Sequence, residues 1–174
     1  MSRKTAGLAV LVSAFLTLAV PATADTVRHE LQPDGSVVTT TTESRMLRPG
    51  ERGYRSPPTN NDLRKSGRHG CYKKRVTKRS ESLSVFQWGI TLDKRWCGYK
   101  NGRITSQDRK VYTSTGTNWK LVSKVSRTRM SSSKKGKTWA KAHFRLKYPN
   151  FEQNKYPEVG VVFNSSGHSK TWRS

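Results

Sequence analysis

The sequence predicts an all-β protein, an antiparallel β-sandwich or partly open barrel of about six to seven strands with a flexible N-terminal arm. Apolar and polar residues alternate with a period of two, most clearly from Phe86 to Asp93, as expected for a strand with one buried face. Clusters of Gly, Ser, Asn and Lys separate short segments of this kind, which is typical of antiparallel sheets. Helical periodicity is weak outside the N-terminal apolar segment.

The composition predicts a thin hydrophobic core. Hydrophobic residues make up 32% of the 174-residue chain, whereas ordinary globular domains have roughly 45–50% apolar residues. Five Trp, six Tyr and five Phe argue against full disorder, because large rings can build a small core from few residues. The chain has 34 Lys and Arg against 11 Asp and Glu, and this formal charge of +23 favours anionic partners.

The N-terminal segment predicts export. Two basic residues precede an apolar run over 7–20, and Ala22-Thr23-Ala24 matches the small-residue pattern of a cleavage site. The run is shorter than the roughly 20 residues that span a bilayer. Residues 1–24 are therefore predicted to be a signal peptide, and the mature chain is expected to be secreted, with no transmembrane segment.

Export affects the interpretation of the two cysteines. Cys71 and Cys97 are the only cysteines, and an oxidising compartment favours their pairing in a disulfide. Their spacing is not that of a zinc site, which would also need two further ligands. The sequence predicts no metal and no cofactor.

Charge and composition divide the mature chain at residue 70. Residues 25–70 are predicted to form an N-terminal hairpin around the turn Gln32-Pro33-Asp34-Gly35, followed by a flexible linker rich in Pro and Gly. Residues 71–174 contain 24 basic and five acidic residues. We expect this second part to be a basic all-β domain.

A hairpin is predicted at the centre of the basic domain. Asn101-Gly102 is the preferred dipeptide of a two-residue type I′ turn, and such a turn places Leu92 opposite Val111. Further strands are predicted over 119–125, 138–148 and 159–163, with a short one around Trp172.

The strands over 119–125 and 138–148 each have two distinct faces. The first is predicted to place Trp119, Leu121 and Val125 on one face. The second places small and apolar residues on one face and exposes on the other Trp139, Lys141, His143, Arg145 and Lys147.

The segment Trp96-Cys97-Gly98-Tyr99-Lys100-Asn101-Gly102-Arg103-Ile104-Thr105 resembles a group of uncharacterised secreted actinobacterial β-rich proteins, in which Trp-Cys precedes an Asn-Gly turn and an Ile/Val-Thr pair. The similarity extends to Asn154-Lys155-Tyr156-Pro157 and the Val-rich strand after it. It implies a secreted all-β domain over roughly residues 71–174. It implies no activity and no catalytic residues.

The charge excess predicts non-catalytic binding of an anionic polymer, namely a wall teichoic acid, an anionic polysaccharide or extracellular nucleic acid. The expected contacts share one basic face and its flanking loop, because neighbouring cations act together within a screening length of roughly 8 Å. Trp139 is expected to provide a stacking surface. The predicted binding residues are Lys134, Lys135 and Lys137 in a flexible cationic loop, and Trp139, Lys141, His143, Arg145 and Lys147 on the strand face.

Other interpretations stay open at this point. A metal-free ribonuclease would use His143 or His168 as general acid or base, with Arg145 or Lys141 stabilising phosphate charge. A cationic antimicrobial effector and a merely solvated surface are further alternatives. The carboxylates of Asp93 and Asp108 fall near each other, but the cations around them favour salt bridges over glycoside cleavage.

Overall fold

The computed structural model describes residues 26–57, 67–148 and 151–172, and it contains two antiparallel sheets of five strands each. Sheet A has the strand order β1-β2-β3-β4-β5, comprising β1 (Thr26–Leu31), β2 (Val37–Met46), β3 (His69–Ser82), β4 (Val85–Tyr99) and β5 (Ile104–Thr115). Sheet B has the order β10-β9-β7-β6, with β8 also paired to β7, comprising β6 (Trp119–Ser132), β7 (Lys135–Leu146), β8 (Asn154–Lys155), β9 (Glu158–Asn164) and β10 (Ser169–Trp172).

This architecture is a β-sandwich, and it confirms the predicted fold class. It has more strands than the six or seven expected, because the N-terminal strands β1 and β2 and the short β8 also join the sheets. The described residues contain no helix. No helix long and apolar enough to cross a membrane is found among them. The predicted signal peptide, residues 1–24, lies outside the described residues.

Aromatic rings fill the space between the two sheets. Trp88 of β4 stacks on Phe144 of β7 with a centroid distance of 5.6 Å, and Trp96 packs against Phe163 at 5.2 Å. The indole Nε1 of Trp96 donates a hydrogen bond to the carbonyl of Asn164, 2.8 Å away. Rings that each cover a large area thus link sheet A to sheet B, as a chain with few hydrophobic residues requires.

The N-terminal hairpin belongs to sheet A. β2 pairs with β1 on one side and with β3 along its whole length on the other. The turn between β1 and β2 also contacts sheet B, because the Asp34 carboxylate accepts hydrogen bonds from Lys155 and Gln153. Residues 26–46 and 69–82 therefore share one sheet, although charge and composition divide the chain at residue 70.

The predicted disulfide is confirmed. Cys71 and Cys97 are directly opposite on β3 and β4 and are bonded to each other. Leu47, only 5% exposed, and Tyr54 pack against the disulfide. Residues 47–57 of the predicted linker thus have an ordered position, and its remainder up to residue 66 lies outside the described residues.

The β4–β5 hairpin has the predicted register but a different turn. Leu92 lies opposite Val111, as expected. A bulge between Cys97 and Gly98 then shifts the pairing by one residue, so the Tyr99 amide bonds to the Arg103 carbonyl across a three-residue loop. Neither residue of Asn101-Gly102 has the positive φ of a type I′ turn. The predicted type I′ turn is therefore wrong, because this bulge, whose extra residue is Thr105 of β5, leaves a loop of three residues instead of two.

A second bulge changes the face of Val125. The register of β6 against β7 shifts between Leu121 and Ser123, so Trp119 and Leu121 face the core whereas Val125 lies opposite Lys141 and is 43% exposed. The prediction that Val125 shares a face with Trp119 is wrong, because one extra residue inverts the alternation beyond it.

Candidate polyanion-binding surface

The side chains of β7 that point away from the core form the centre of a basic and aromatic surface. Thr138, Ala140, Ala142 and Phe144 are buried, so the alternate residues face outward. We call this surface the outer face of sheet B. It contains Lys137, Trp139, Lys141, His143 and Arg145 of β7, Arg127 and Arg129 of β6, and Trp172 of β10, with Tyr156 beside it.

Two indoles meet on this face across Gly160 of β9. Gly160 lies opposite both Trp139 and Trp172. A Cβ at Gly160 would lie 2.8 Å from Cε3 of Trp172, so only glycine leaves room for the indole there. The ammonium of Lys137 lies 2.8 Å from the centroid of the Trp172 ring, a cation-π contact. Trp172 is a functional candidate that the sequence reasoning left out.

A second aromatic pair continues the surface toward β8. The rings of His143 and Tyr156 stack with centroids 4.4 Å apart, and a hydrogen bond of 2.7 Å joins His143 Nε2 to Oδ1 of Asn154. The Lys141 ammonium lies 5.5 Å from the centroid of Tyr156. The His143 side chain is therefore held in place on the surface by contacts with a ring and an amide.

The cations of this face differ in whether a carboxylate forms an ion pair with them. Arg145 forms an ion pair of 3.1 Å with Glu152, which partly neutralises it. Arg127 and Arg129 are exposed on β6, opposite Trp139 and Lys137. Among the described residues, no carboxylate forms an ion pair with either of them or with Lys141. These three positive charges are the ones best placed to contact an anion.

The remaining predicted residues lie around the edge of the surface. Lys134 is exposed in the two-residue turn between β6 and β7, where its carbonyl accepts a bond from the amide of Ser165. β7 begins at Lys135, so Lys135 and Lys137 are strand residues and the flexible cationic loop expected there is wrong. Lys147 is exposed just beyond the end of β7. The turn is short because β6 and β7 pair up to Ser132 and Lys135.

The basic residues on the outer side of sheet A surround a carboxylate. Asp93 is buried, with Arg75 and Arg95 both 3.1 Å from its Oδ2 and Lys73 at 3.5 Å. Burial raises the pKa of Asp93, but hydrogen bonds from Arg95 and Arg75 and the charge of Lys73 outweigh it, so the pKa is lowered overall. The predicted salt-bridge role is confirmed for Asp93 but not for Asp108, which forms no ion pair within the described residues. The three cations around Asp93 are paired with its carboxylate, whereas several on sheet B are not paired with one.

The two histidines of the ribonuclease alternative lie far apart. His143 is near the β8 end of β7, whereas His168 is exposed in the turn between β9 and β10. That turn is close to Gly136, because Gly136 pairs with Phe163. At about 3.3 Å per residue along β7, the separation is about 20 Å. His143 and His168 therefore lie too far apart to act as an acid–base pair on one phosphate.

Comparison of this chain with protein-family models, with curated proteins and with solved structures finds no match.

Proposed function

We propose that this protein is a secreted, non-catalytic binding protein for an anionic polymer, which it contacts through the outer face of sheet B. The observation that supports this most directly is the combination on one face of two indoles with the exposed cations Arg127, Arg129 and Lys141. A wall teichoic acid, an anionic polysaccharide and extracellular nucleic acid all carry the negative charge that such a face attracts.

The spacing of the cations supports a shared field. Neighbouring strands are about 4.8 Å apart, well within the screening length of roughly 8 Å at physiological ionic strength. The opposed residues of β6 and β7 therefore act together on a polymer that lies across the strands. The flat indole of Trp139 adds a surface on which a base or sugar ring can stack.

A salt titration of binding tests this proposal. The three substitutions Arg127→Gln, Arg129→Gln and Lys141→Gln remove the exposed cations while the buried face of the strands stays the same. With duplex DNA as the probe, each lost phosphate contact should flatten the slope of log K against log salt by about 0.9. Trp139→Ala should lower affinity for a single strand by about 1–3 kcal/mol with little change of slope, because stacking releases no counter-ions.

A matched variant controls for net charge. Arg48→Gln, Arg52→Gln and Arg55→Gln remove three exposed cations from the segment 47–57, which packs on the disulfide of sheet A and away from the outer face of sheet B. We expect this variant to retain most of the wild-type affinity. Equal losses in the two triple variants would show that only net charge matters, and wild-type binding that does not change with salt would refute the proposal.

A further inference from the structure

A large groove lies between the two sheets on the side of β1. Sheet B ends there with the short strand β10, which faces β2, so the edge strand β1 of sheet A extends beyond it. The hydroxyls of Thr42 and Thr171, 3.3 Å apart, join the sheets at the base of the groove. Its volume is about 750 Å³, which is within the range of roughly 300–1,000 Å³ for ligand sites.

Strand β1 turns its polar residues toward this groove. Arg28 and Glu30 share the inner face of sheet A, because their partners on β2 are Thr40 and Val38. The apolar residues of the strand face outward, where Val27 is 58% exposed and Leu31 is 74% exposed. This is the reverse of the arrangement that burial favours, so packing does not explain the polar residues on the inner face.

Three cations, one carboxylate and a ring line the groove. Arg28 comes from β1, Lys78 from β3 and Lys170 from β10, and the Glu30 carboxylate lies among them. None of these four side chains forms an ion pair within the described residues. The remaining polar lining is made of hydroxyl groups, those of Thr26, Thr40, Thr42 and Thr171, and Trp172 lies at the rim.

We propose that this groove binds an acidic saccharide, with Arg28, Lys78 and Lys170 contacting its carboxylate or sulfate groups. A sugar ring carries hydroxyls that both donate and accept hydrogen bonds, and the threonine hydroxyls and the Glu30 carboxylate complement them. Charged nitrogens bind carboxylates and sulfates through hydrogen bonds of about twice the usual strength. A nucleic acid fits less well, because the described lining contains no Asn or Gln side chain that could pair with the edge of a base.

The groove is continuous with the outer face of sheet B. Trp172 and Lys170 line the groove from the edge strand β10, and Trp172 also contacts Lys137 on the outer face. A chain that lies on the outer face can therefore cross β10 into the groove. The inference rests on the proposed function in this respect: the outer face supplies polymer affinity, and the groove selects an acidic sugar within it.

Calorimetric titration with a short acidic oligosaccharide tests the groove separately from the face. The probe is an oligogalacturonate tetrasaccharide, and its methyl ester is the uncharged control. We expect wild-type protein to bind the acid and not the ester. The double variant Arg28→Gln, Lys78→Gln should lose at least tenfold in affinity, whereas the outer-face triple variant should bind the tetrasaccharide as wild type does. Circular dichroism checks the fold of each variant.

A second variant keeps the test decisive if the double variant does not fold. Arg28→Glu reverses one charge on the exposed edge strand β1, away from the outer face of sheet B, and should lower the affinity by a similar factor. The inference is overturned if the wild type does not bind the acid, if the groove variants bind as well as wild type, or if an oligothymidine competes more strongly for the groove. Loss of salt-dependent polymer binding with intact tetrasaccharide binding would instead refute the proposed function alone.

Discussion

Replacement of the buried Lys94 by methionine should stabilise the protein. Lys94 lies on the core face of β4 and is 1% exposed, with its Nζ 2.8 Å from Oε1 of Gln107 and 4.5 Å from the centroid of the Phe163 ring. Its pKa is lowered from 10.5 to about 7, mainly by burial and also by the charge of Arg109, whereas the charge of Asp108 opposes the shift. Methionine keeps the length of the side chain and removes the charge.

The size of the effect follows from the pKa. A pKa that falls from 10.5 to about 7 corresponds to a cost of about 5 kcal/mol for the charged form in the folded state, at 1.36 kcal/mol per pH unit. The variant also loses a hydrogen bond to Gln107 and a cation-π contact with Phe163, each worth about 1 kcal/mol. We therefore expect Lys94→Met to raise the free energy of unfolding by about 3 kcal/mol at neutral pH.

The pH dependence provides the sharper test. Because the pKa of Lys94 is lower in the folded protein, the unfolded chain binds more protons between about pH 7 and pH 10.5, and wild-type stability rises with pH there. Burial also lowers the pKa of the neighbouring Lys74, which adds a further rise of stability with pH. The wild type and the Lys94→Met variant share this contribution. The advantage of the variant should therefore shrink to near zero by about pH 9.5.

Urea unfolding at neutral and alkaline pH measures both the stability gain of the variant and its dependence on pH. Lys124→Met is the matched control, because Lys124 is exposed on β6 and its removal should change stability by no more than about 0.5 kcal/mol. A variant no more stable than wild type at neutral pH, or an advantage independent of pH, would refute the reasoning.

Three further predictions concern the ion cluster, the disulfide and the chemistry. Asp93→Asn should lower the free energy of unfolding by about 3 kcal/mol at neutral pH. Wild-type stability should also fall as acid protonates Asp93 below the unfolded-state pKa of about 3.9. Equal urea midpoints for the variant and the wild type would contradict this. Alkylation and intact mass should show no thiol in the folded protein, and replacement of Cys71 and Cys97 by alanine should cost roughly 3 kcal/mol. Incubation with RNA should give no cleavage, and a cleavage that His143→Ala or His168→Ala abolishes would favour the ribonuclease alternative.

The alternation of apolar and polar residues allowed several features of the strands to be predicted from the sequence. Leu92 faces Val111 because the hydrophobic residues of β4 fix which side of the strand is buried, and that pattern sets the register. Neither the bulge after Cys97 nor the one after Leu121 was predicted: Gly98 is a local signal for the first, since an isolated glycine in a strand can mark a bulge, whereas no residue near Leu121 signals the second. The type I′ turn and the face of Val125 were both wrong for this reason.

The functional residues that the sequence reasoning missed depend on contacts between distant segments. Trp172 belongs to the outer face of sheet B only because Gly160 leaves room for its ring. Alternation in Thr26–Leu31 does show that Arg28 and Glu30 share a face, but it does not show that this face overhangs β10. The ion pair between Arg145 and Glu152 likewise joins β7 to a segment that follows a turn. Such relations between segments are set by the packing of the sheets.

The core residues and the proposed binding residues of β7 both follow from the alternation of side chains along the strand. Ala140 and Ala142 are small enough to bring sheet A close, and Phe144 fills the space against Trp88. Since successive side chains alternate, burial of these residues forces Lys141 and its outward neighbours into solvent. A shift of one residue in register would bury Lys141 and expose the core, at a cost of several kcal/mol. The packing of the sandwich thus keeps the cations on the surface.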